Sequence, residues 1–281
     1  MYGSDRRKPR DYTREALREV ALKARMAVVM ISDVPNQYVT FNDNEKPLRE
    51  DDAVAHTWAH ALRGAAPELP LHVPMAAAAS RAMDLAEQEL AGQGLTVDRF
   101  IITGASKRGW SAWLTALADE RVMAIVPSVI DVADTSDMLA GLRKRYGGHW
   151  PLALGSYQQA GVLQQLGTPA FEQLMAMMDP MQYLNEKRQR LAIPKYLVSA
   201  SGDDFFAPDP GHRLSAAPAG SDQPQGIAEL RPWRGASSGS QYLGTCGVAL
   251  ARWGPSAKRA GVAERARRAD ERRILRAASG G

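Results

Sequence analysis

An α/β protein with a mostly parallel sheet is predicted, on three observations. Apolar, β-branched runs of strand length stand at 26–31, 100–103, 121–130 and 194–200. Stretches of helical period separate them, an alternation that builds parallel sheets. The third is residues 97–118, where a strand gives way abruptly to a helix with Ser106 at the junction.

In order along the chain, residues 13–24 form an amphipathic helix with Leu17, Val20, Ala21 and Leu22 near one face. Met26 to Ile31 is a continuous apolar strand, expected to be buried on both faces of a parallel sheet. A turn at Pro35, Asn36 and Gln37 and a polar loop over 38–48 follow. Glu50, Asp51 and Asp52 open a helix running to about Arg63, where their charge complements the helix dipole. Pro67 and Pro70 separate it from an alanine-rich helix, Met75 to about Ala91, ended in the Gly92–Gly94 region.

The strand Phe100 to Thr103 comes next, then Gly104, then Ser106. From Lys107 onward Trp110, Trp113, Leu114 and Leu117 recur at helical spacing. This is the layout of a nucleophile elbow, in which a strained backbone holds a serine hydroxyl clear of the sheet's carboxyl edge. Arg108 stands where G-x-S-x-G has its second glycine, and Gly109 comes one later. The competing reading has Ser106 as a simple helix cap. A strand over Arg121 to Ile130, with Asp131 at its carboxyl end, leads into residues 134–190, read as a helical insertion over the sheet's edge. Pro194 to Ala200 is the last strand, followed by Gly202-Asp-Asp-Phe-Phe-Ala-Pro-Asp209. Ser106, Asp131 and the Asp203–Asp204 pair thus fall at strand carboxyl ends, where ligands bind in such sheets.

Composition removes several classes of function. No apolar run approaches the roughly 20 residues that span a bilayer, and no membrane partner is expected. The single cysteine, Cys246, excludes an internal disulfide and an all-cysteine metal site. The N-terminus is basic without a hydrophobic region behind it, so no signal peptide is read and a cytoplasmic location is expected. Residues 212–281 carry 12 Lys and Arg against 5 Asp and Glu, unlike the rest of the chain. Their Ala, Gly, Arg, Ser and Pro content is what a GC-rich gene gives in a shifted frame. A disordered tail with no nucleic-acid role is expected there, beside a core of residues 1–211.

The stretches Val34-Pro-Asn-Gln37, Glu50-Asp-Asp-Ala53, Thr57-Trp58, Pro74-Met75 and Arg81-Ala-Met-Asp84 belong to one pattern. So do Gly104-Ala-Ser-Lys-Arg-Gly-Trp110, Val129-Ile-Asp-Val132, Tyr146-Gly-Gly148, Asp179-Pro180, Pro194-Lys-Tyr-Leu197 and Gly202-Asp-Asp-Phe-Phe206 with Pro208-Asp209. In this order they resemble the PhoPQ-activated pathogenicity-related proteins, a branch of the α/β-hydrolases, over about residues 3–209. The resemblance implies an α/β-hydrolase-like fold and a serine nucleophile, acid and histidine in that chain order. It assigns Ser106 as nucleophile and Asp203 as the acid, with Asp204 and Asp209 as alternatives. The oxyanion donors it implies are the backbone N–H of Lys107 and one from the Gly3–Ser4 region. Arg108 is a further neighbour of the oxyanion, competing with a surface role on the helix. The implied substrate is an ester or peptide carbonyl in a small molecule or peptide, with no cofactor. The family would also allow an exported protein.

Two expected parts are not visible: the family's early strands, before Met1, and an Asn-Thr-x-His-like segment after Asp209. The fold is therefore expected to be incomplete, and the base is the weak point. His212 alone follows the acid but lies three residues beyond Asp209, with no strand to carry it to Ser106. His149 could line the pocket from the insertion, out of chain order. His72, between prolines, reads as structural. His56 and His60 have a metal-binding spacing on one helix, but no third ligand pattern stands beside them, so helix-surface or packing roles are expected and no metal. A working hydrolase and a catalytically dead remnant or binding module remain as alternatives.

Overall fold

The structure, a computed structural model, describes residues 11–32, 34–35, 38–64, 70–206, 226–230 and 247–252. It is an α/β fold. Helices α1 (Asp11–Ala24), α2 (Glu50–Leu62), α3 (His72–Ala91) and α4 (Lys107–Ala118) alternate with strands β1 (Met26–Ile31), β2 (Phe100–Ala105) and β3 (Val122–Ser128). Between β3 and β4 (Tyr196–Ala200) lie α5 (Thr135–Arg145), α6 (Gly155–Gln159), α7 (Pro169–Met178) and α8 (Arg188–Leu191), joined by short 3₁₀ turns. β5 (Gly226–Leu230) and β6 (Gly247–Arg252) complete a sheet of order β1-β6-β2-β3-β4-β5. β2, β3, β4 and β5 pair in parallel, whereas β6 runs antiparallel to both β1 and β2.

Two expectations change here. β1 stands at the sheet edge and is half-buried along its whole length, rather than covered on both faces. It packs against α1 and α3, and its backbone pairs with an antiparallel neighbour. That neighbour, β6, and β5 lie inside the 212–281 stretch expected to stand outside the fold. Eleven of those residues are sheet strands instead. The ladder from β6 satisfies both β1 and β2, which would otherwise stand two strand spacings apart, about 9.6 Å, with unpaired edges. The rest of that stretch lies outside the described residues.

The core forms around α4, whose residues from Lys107 to Leu117 are all buried. α4 packs on β2 and β3 on one side and on α3 on the other. Phe100, Trp113, Ile125 and Met83 are among the fully buried side chains where these layers meet. Arg190 closes the far end of α4, its guanidinium donating to the carbonyls of Ala116, Asp119 and Val122 at 2.8, 2.9 and 2.7 Å. Those are carbonyls that the end of a helix and its connecting turn leave without partners. The insertion does more than cover an edge. Trp110 of α4 donates its Nε1–H to the Met178 carbonyl at 2.7 Å, fastening the insertion above the carboxyl ends of the strands.

Candidate active site

Ser106 joins β2 to α4 with φ +54° and ψ −127°, a conformation costly for any residue but glycine. Its side chain makes no capping bond to α4, so what the structure shows at this position is a strained strand-to-helix turn. Neighbouring strands fix the junction. The Ser106 N–H donates to the Ser128 carbonyl at 2.9 Å, and the Trp110 N–H to the Ser106 carbonyl at 3.0 Å. Val129, the residue after β3, also has a positive φ, +46°, and donates its N–H to Val198 at 2.7 Å. Strained backbone is thus gathered at the carboxyl ends of β2 and β3.

The glycines explain the imperfect sequence pattern. A Cβ on Gly104 would lie 2.6 Å from the backbone carbon and oxygen of Arg108. One on Gly109 would lie 2.7 Å from Ile130 Cγ2 and 2.9 Å from the Gly104 carbonyl. The close approach falls at Gly109, one residue later than G-x-S-x-G places it, because Arg108 turns its side chain away toward α2. Gly104→Ala is expected to cost about 2 kcal/mol, since its new contact is backbone that cannot rotate aside. Urea unfolding measures it, and an unchanged midpoint would show that the elbow has slack.

Arg108 and Lys107 are buried, not surface residues. Arg108 Nη2 lies 2.7 Å from Glu50, and Lys107 Nζ lies 3.0 Å from both Glu50 and Asp51. The acidic run at the start of α2 therefore neutralises the two cations that follow Ser106, besides facing the helix dipole. Burial alone would raise the pKa of Glu50. The charges and hydrogen bonds of Lys107 and Arg108 outweigh it and hold the carboxyl below its ordinary value. Tyr157 adds its hydroxyl, donating to Asp51 at 3.2 Å. Burial and then the Asp51 charge keep that phenol neutral, well above its ordinary pKa.

Ser106 opens into a cavity walled by Trp58, Trp110, Met138, Leu139, Leu154, Tyr157, Leu163, Phe205 and Phe206, with Asp51, Lys107 and Thr135 as polar members. His72 lines the same cavity. It is 1% exposed, and among the described residues neither ring nitrogen has a hydrogen-bond partner. Trp110 and Trp58 flank it, ring centroids 4.8 and 5.7 Å away. Burial, helped by the Lys107 charge, lowers its pKa to about 3.

A family model described as "PhoPQ-activated pathogenicity-related protein" matches residues 2–214, most of the chain. The chain belongs to the PhoPQ-activated pathogenicity-related protein family. A curated relative, "Autocrine proliferation repressor protein A" from Dictyostelium discoideum, is 35% identical over 191 residues, 68% of this chain. The chain spans only 38% of that relative's length. Two solved structures are similar to parts of the chain. One is a monoacylglycerol lipase from Paleococcus ferrophilus, with TM-score 0.32, 17% identity and coverage of 56% of this chain and 65% of that one. The other is an alpha/beta hydrolase enzyme from a Medee basin deep-sea metagenome library, with TM-score 0.27, 14% identity and coverage of 53% and 62%. Likenesses this distant carry no weight for activity or for any residue's role.

The family's site residues are only partly brought together. Ser106 and Lys107 share the cavity, and Lys107 as the first residue of α4 has a backbone N–H with no partner within its helix. Asp203 follows β4, half-buried, and is not in the cavity wall. Its Oδ1 accepts the N–H groups of Phe205 and Phe206, each at 2.9 Å, and so sets both phenylalanines in the wall. Burial raises its pKa, against those two hydrogen bonds. Asp204 is exposed. His149, which could have lined the pocket from the insertion, is exposed on the turn after α5 and is not part of the cavity wall. Gly3, Asp209 and His212 lie outside the described residues. Sequence reading missed His72 in the cavity and the pairing of Glu50 and Asp51 with Lys107 and Arg108. Two cations opening an otherwise apolar helix were the available signal for the second.

Proposed function

We propose that the chain is a serine hydrolase-like protein acting on an ester or peptide carbonyl, with Ser106 as nucleophile. The observation that carries this is the left-handed backbone at Ser106, at a βα elbow opening into an apolar cavity. In this reading Ser106 Oγ attacks the carbonyl carbon and the Lys107 N–H faces the developing oxyanion. The Ser106 proton passes to the leaving group, which departs as an acyl-enzyme forms, and water then cleaves that ester to free Ser106 and the acid. The aromatic and aliphatic walls suit an apolar group beside the carbonyl, and the cavity, about 20 Å³, admits only a small one. Asp203 is the acid of this reading, by its place after β4. Its test is hydrolysis of p-nitrophenyl esters by the wild type and by Ser106→Ala, which should lower the rate by about two orders of magnitude or more without returning it to that of buffer.

A second reading, a binding module with the elbow but no working base, is favoured by His72. A general base works best with a pKa near the operating pH, and loss of one costs roughly 10²–10⁴-fold. With a pKa near 3 the His72 ring is neutral at pH 7 and holds a proton poorly. His72→Phe should therefore leave p-nitrophenyl acetate turnover within a few-fold of wild type. A fall of two orders of magnitude would instead make His72 the base and favour the working hydrolase. Weak turnover by itself decides little, because serine proteases lacking a triad member retain roughly 10³–10⁴-fold over water.

A further inference from the structure

We propose that Asp43, His56 and His60 form a transition-metal site, fitted to a single Zn²⁺, on the face of α2 turned away from the Ser106 cavity. His56 and His60 are one helical turn apart, so both imidazoles leave α2 on the same side. Trp58, midway between them, points the other way into the cavity wall. The third ligand comes from the loop before α2. There Val39 and Leu48 exchange backbone hydrogen bonds at 2.7 and 2.8 Å, and Asn44 N–H donates to the Phe41 carbonyl at 3.1 Å. That turn swings Asp43 over the two rings. Its Oδ1 lies 3.2 Å from His56 Nε2 and its Oδ2 2.6 Å from His60 Nε2. The ligating atoms of all three residues lie within 4.8 Å of one another.

Two imidazole nitrogens and one carboxylate, with a side open to water, make the donor set of a three-ligand zinc site. Imidazole selects against Mg²⁺ and Ca²⁺, and the lack of sulfur selects against Cu(I). Tetrahedral bonds of about 2.0–2.1 Å place ligand atoms roughly 3.3 Å apart. Oδ1 already has that separation from His56 at 3.2 Å, while Oδ2, hydrogen-bonded to His60 at 2.6 Å, must turn aside so that one oxygen faces the ion, within reach of a half-exposed aspartate. The Phe41 ring packs on His56 with centroids 4.3 Å apart, and the two imidazoles are 4.6 Å apart, so their facing is set before any ion arrives. A bound ion would tie loop 38–48 to α2, the helix whose first turn holds Lys107 and Arg108 at the elbow. Without an ion the same three residues make a hydrogen-bonded clamp, and the experiment separates the two.

Chelator-treated full chain is titrated with ZnCl₂ by calorimetry and with CoCl₂ by visible absorption, beside His60→Gln and Asp43→Asn. Glutamine still donates to Asp43, so His60→Gln keeps the clamp and removes a ligand nitrogen. Loss of an outer-shell partner already costs 10–100-fold in metal affinity, so loss of a ligand should cost more than about a hundredfold. Expected are one equivalent of Zn²⁺, a four-coordinate Co²⁺ spectrum and a Zn²⁺-dependent rise in melting temperature. Both variants should lose all three, with the metal-free melting temperature of His60→Gln close to wild type. No saturable binding by the wild type, or equal Zn²⁺ affinity in wild type and His60→Gln, overturns the site.

Discussion

Ser106→Ala should abolish all covalent labelling by a fluorophosphonate, and Ser106→Gly should do the same while making the protein more stable. Both follow from one geometric fact, φ +54° with ψ −127° at the residue joining β2 to α4. A side chain there costs about 1–3 kcal/mol of backbone strain. Strain of that size persists at one position because the surroundings impose it. The Ser106 N–H is held by Ser128, and Gly104 and Gly109 let α4 approach more closely than any Cβ would allow. Glycine releases the strain but loses more chain entropy on folding, about 0.5–1 kcal/mol. The net gain for Ser106→Gly is then about 1 kcal/mol, read by urea unfolding. Alanine keeps the strain and should show no such gain. Labelling that survives in either variant would place the nucleophile elsewhere, and a less stable Ser106→Gly would mean that the elbow conformation is not strained.

Local pattern carried far in this chain. The runs at 26–31, 100–103, 121–130 and 194–200 each contain a strand, because β-branched apolar residues between turns have few other soluble forms. The seven residues Gly104 to Trp110 showed the elbow, since steric demands at a strand–helix turn are met by sequence neighbours. The missing parts all depend on residues far apart. Glu50 meets Arg108 across 58 positions; the two cations that open α4 hint at a carboxylate partner, but nothing local says which residue supplies it. Asp43 completes the His56–His60 pair from another element, so spacing on α2 could suggest the pair but never the third ligand. His72 read as structural because prolines surround it in sequence; what matters is that α3 begins there, against Trp110 and Trp58. β5 and β6 were hidden by composition. Short apolar runs such as Gly-Val-Ala-Leu-Ala-Arg in an Arg- and Gly-rich stretch look like disorder until the sheet supplies two partners.

Glu50→Ala should destabilise the protein by about 3–5 kcal/mol at pH 7, the usual cost of leaving a buried charge without its partner. Arg108 is 7% exposed and its Nη2 lies 2.7 Å from Glu50, so the variant leaves a buried guanidinium without that carboxylate. Lys107 keeps Asp51 at 3.0 Å and suffers less. The backbone at Glu50 has φ +50°, a strain that alanine and glutamine share with glutamate, so comparison among the three isolates the carboxylate. Glu50→Gln retains an acceptor for Arg108 and should cost less than alanine. The pH dependence then identifies charge as the cause. The folded-state pKa of Glu50 is depressed, so the folded state binds its proton less readily than the unfolded chain does. Its contribution is fully present above the ordinary glutamate value, 4.5, and is lost as pH falls through the lower folded value. The gap in unfolding free energy between wild type and Glu50→Gln should be constant from pH 7 to about 5.5 and shrink steadily in more acid solution. Urea midpoints across that range measure it. A gap that does not change with pH would mean that Glu50 stabilises the elbow by packing, and that Lys107 and Arg108 are neutralised by something other than its charge.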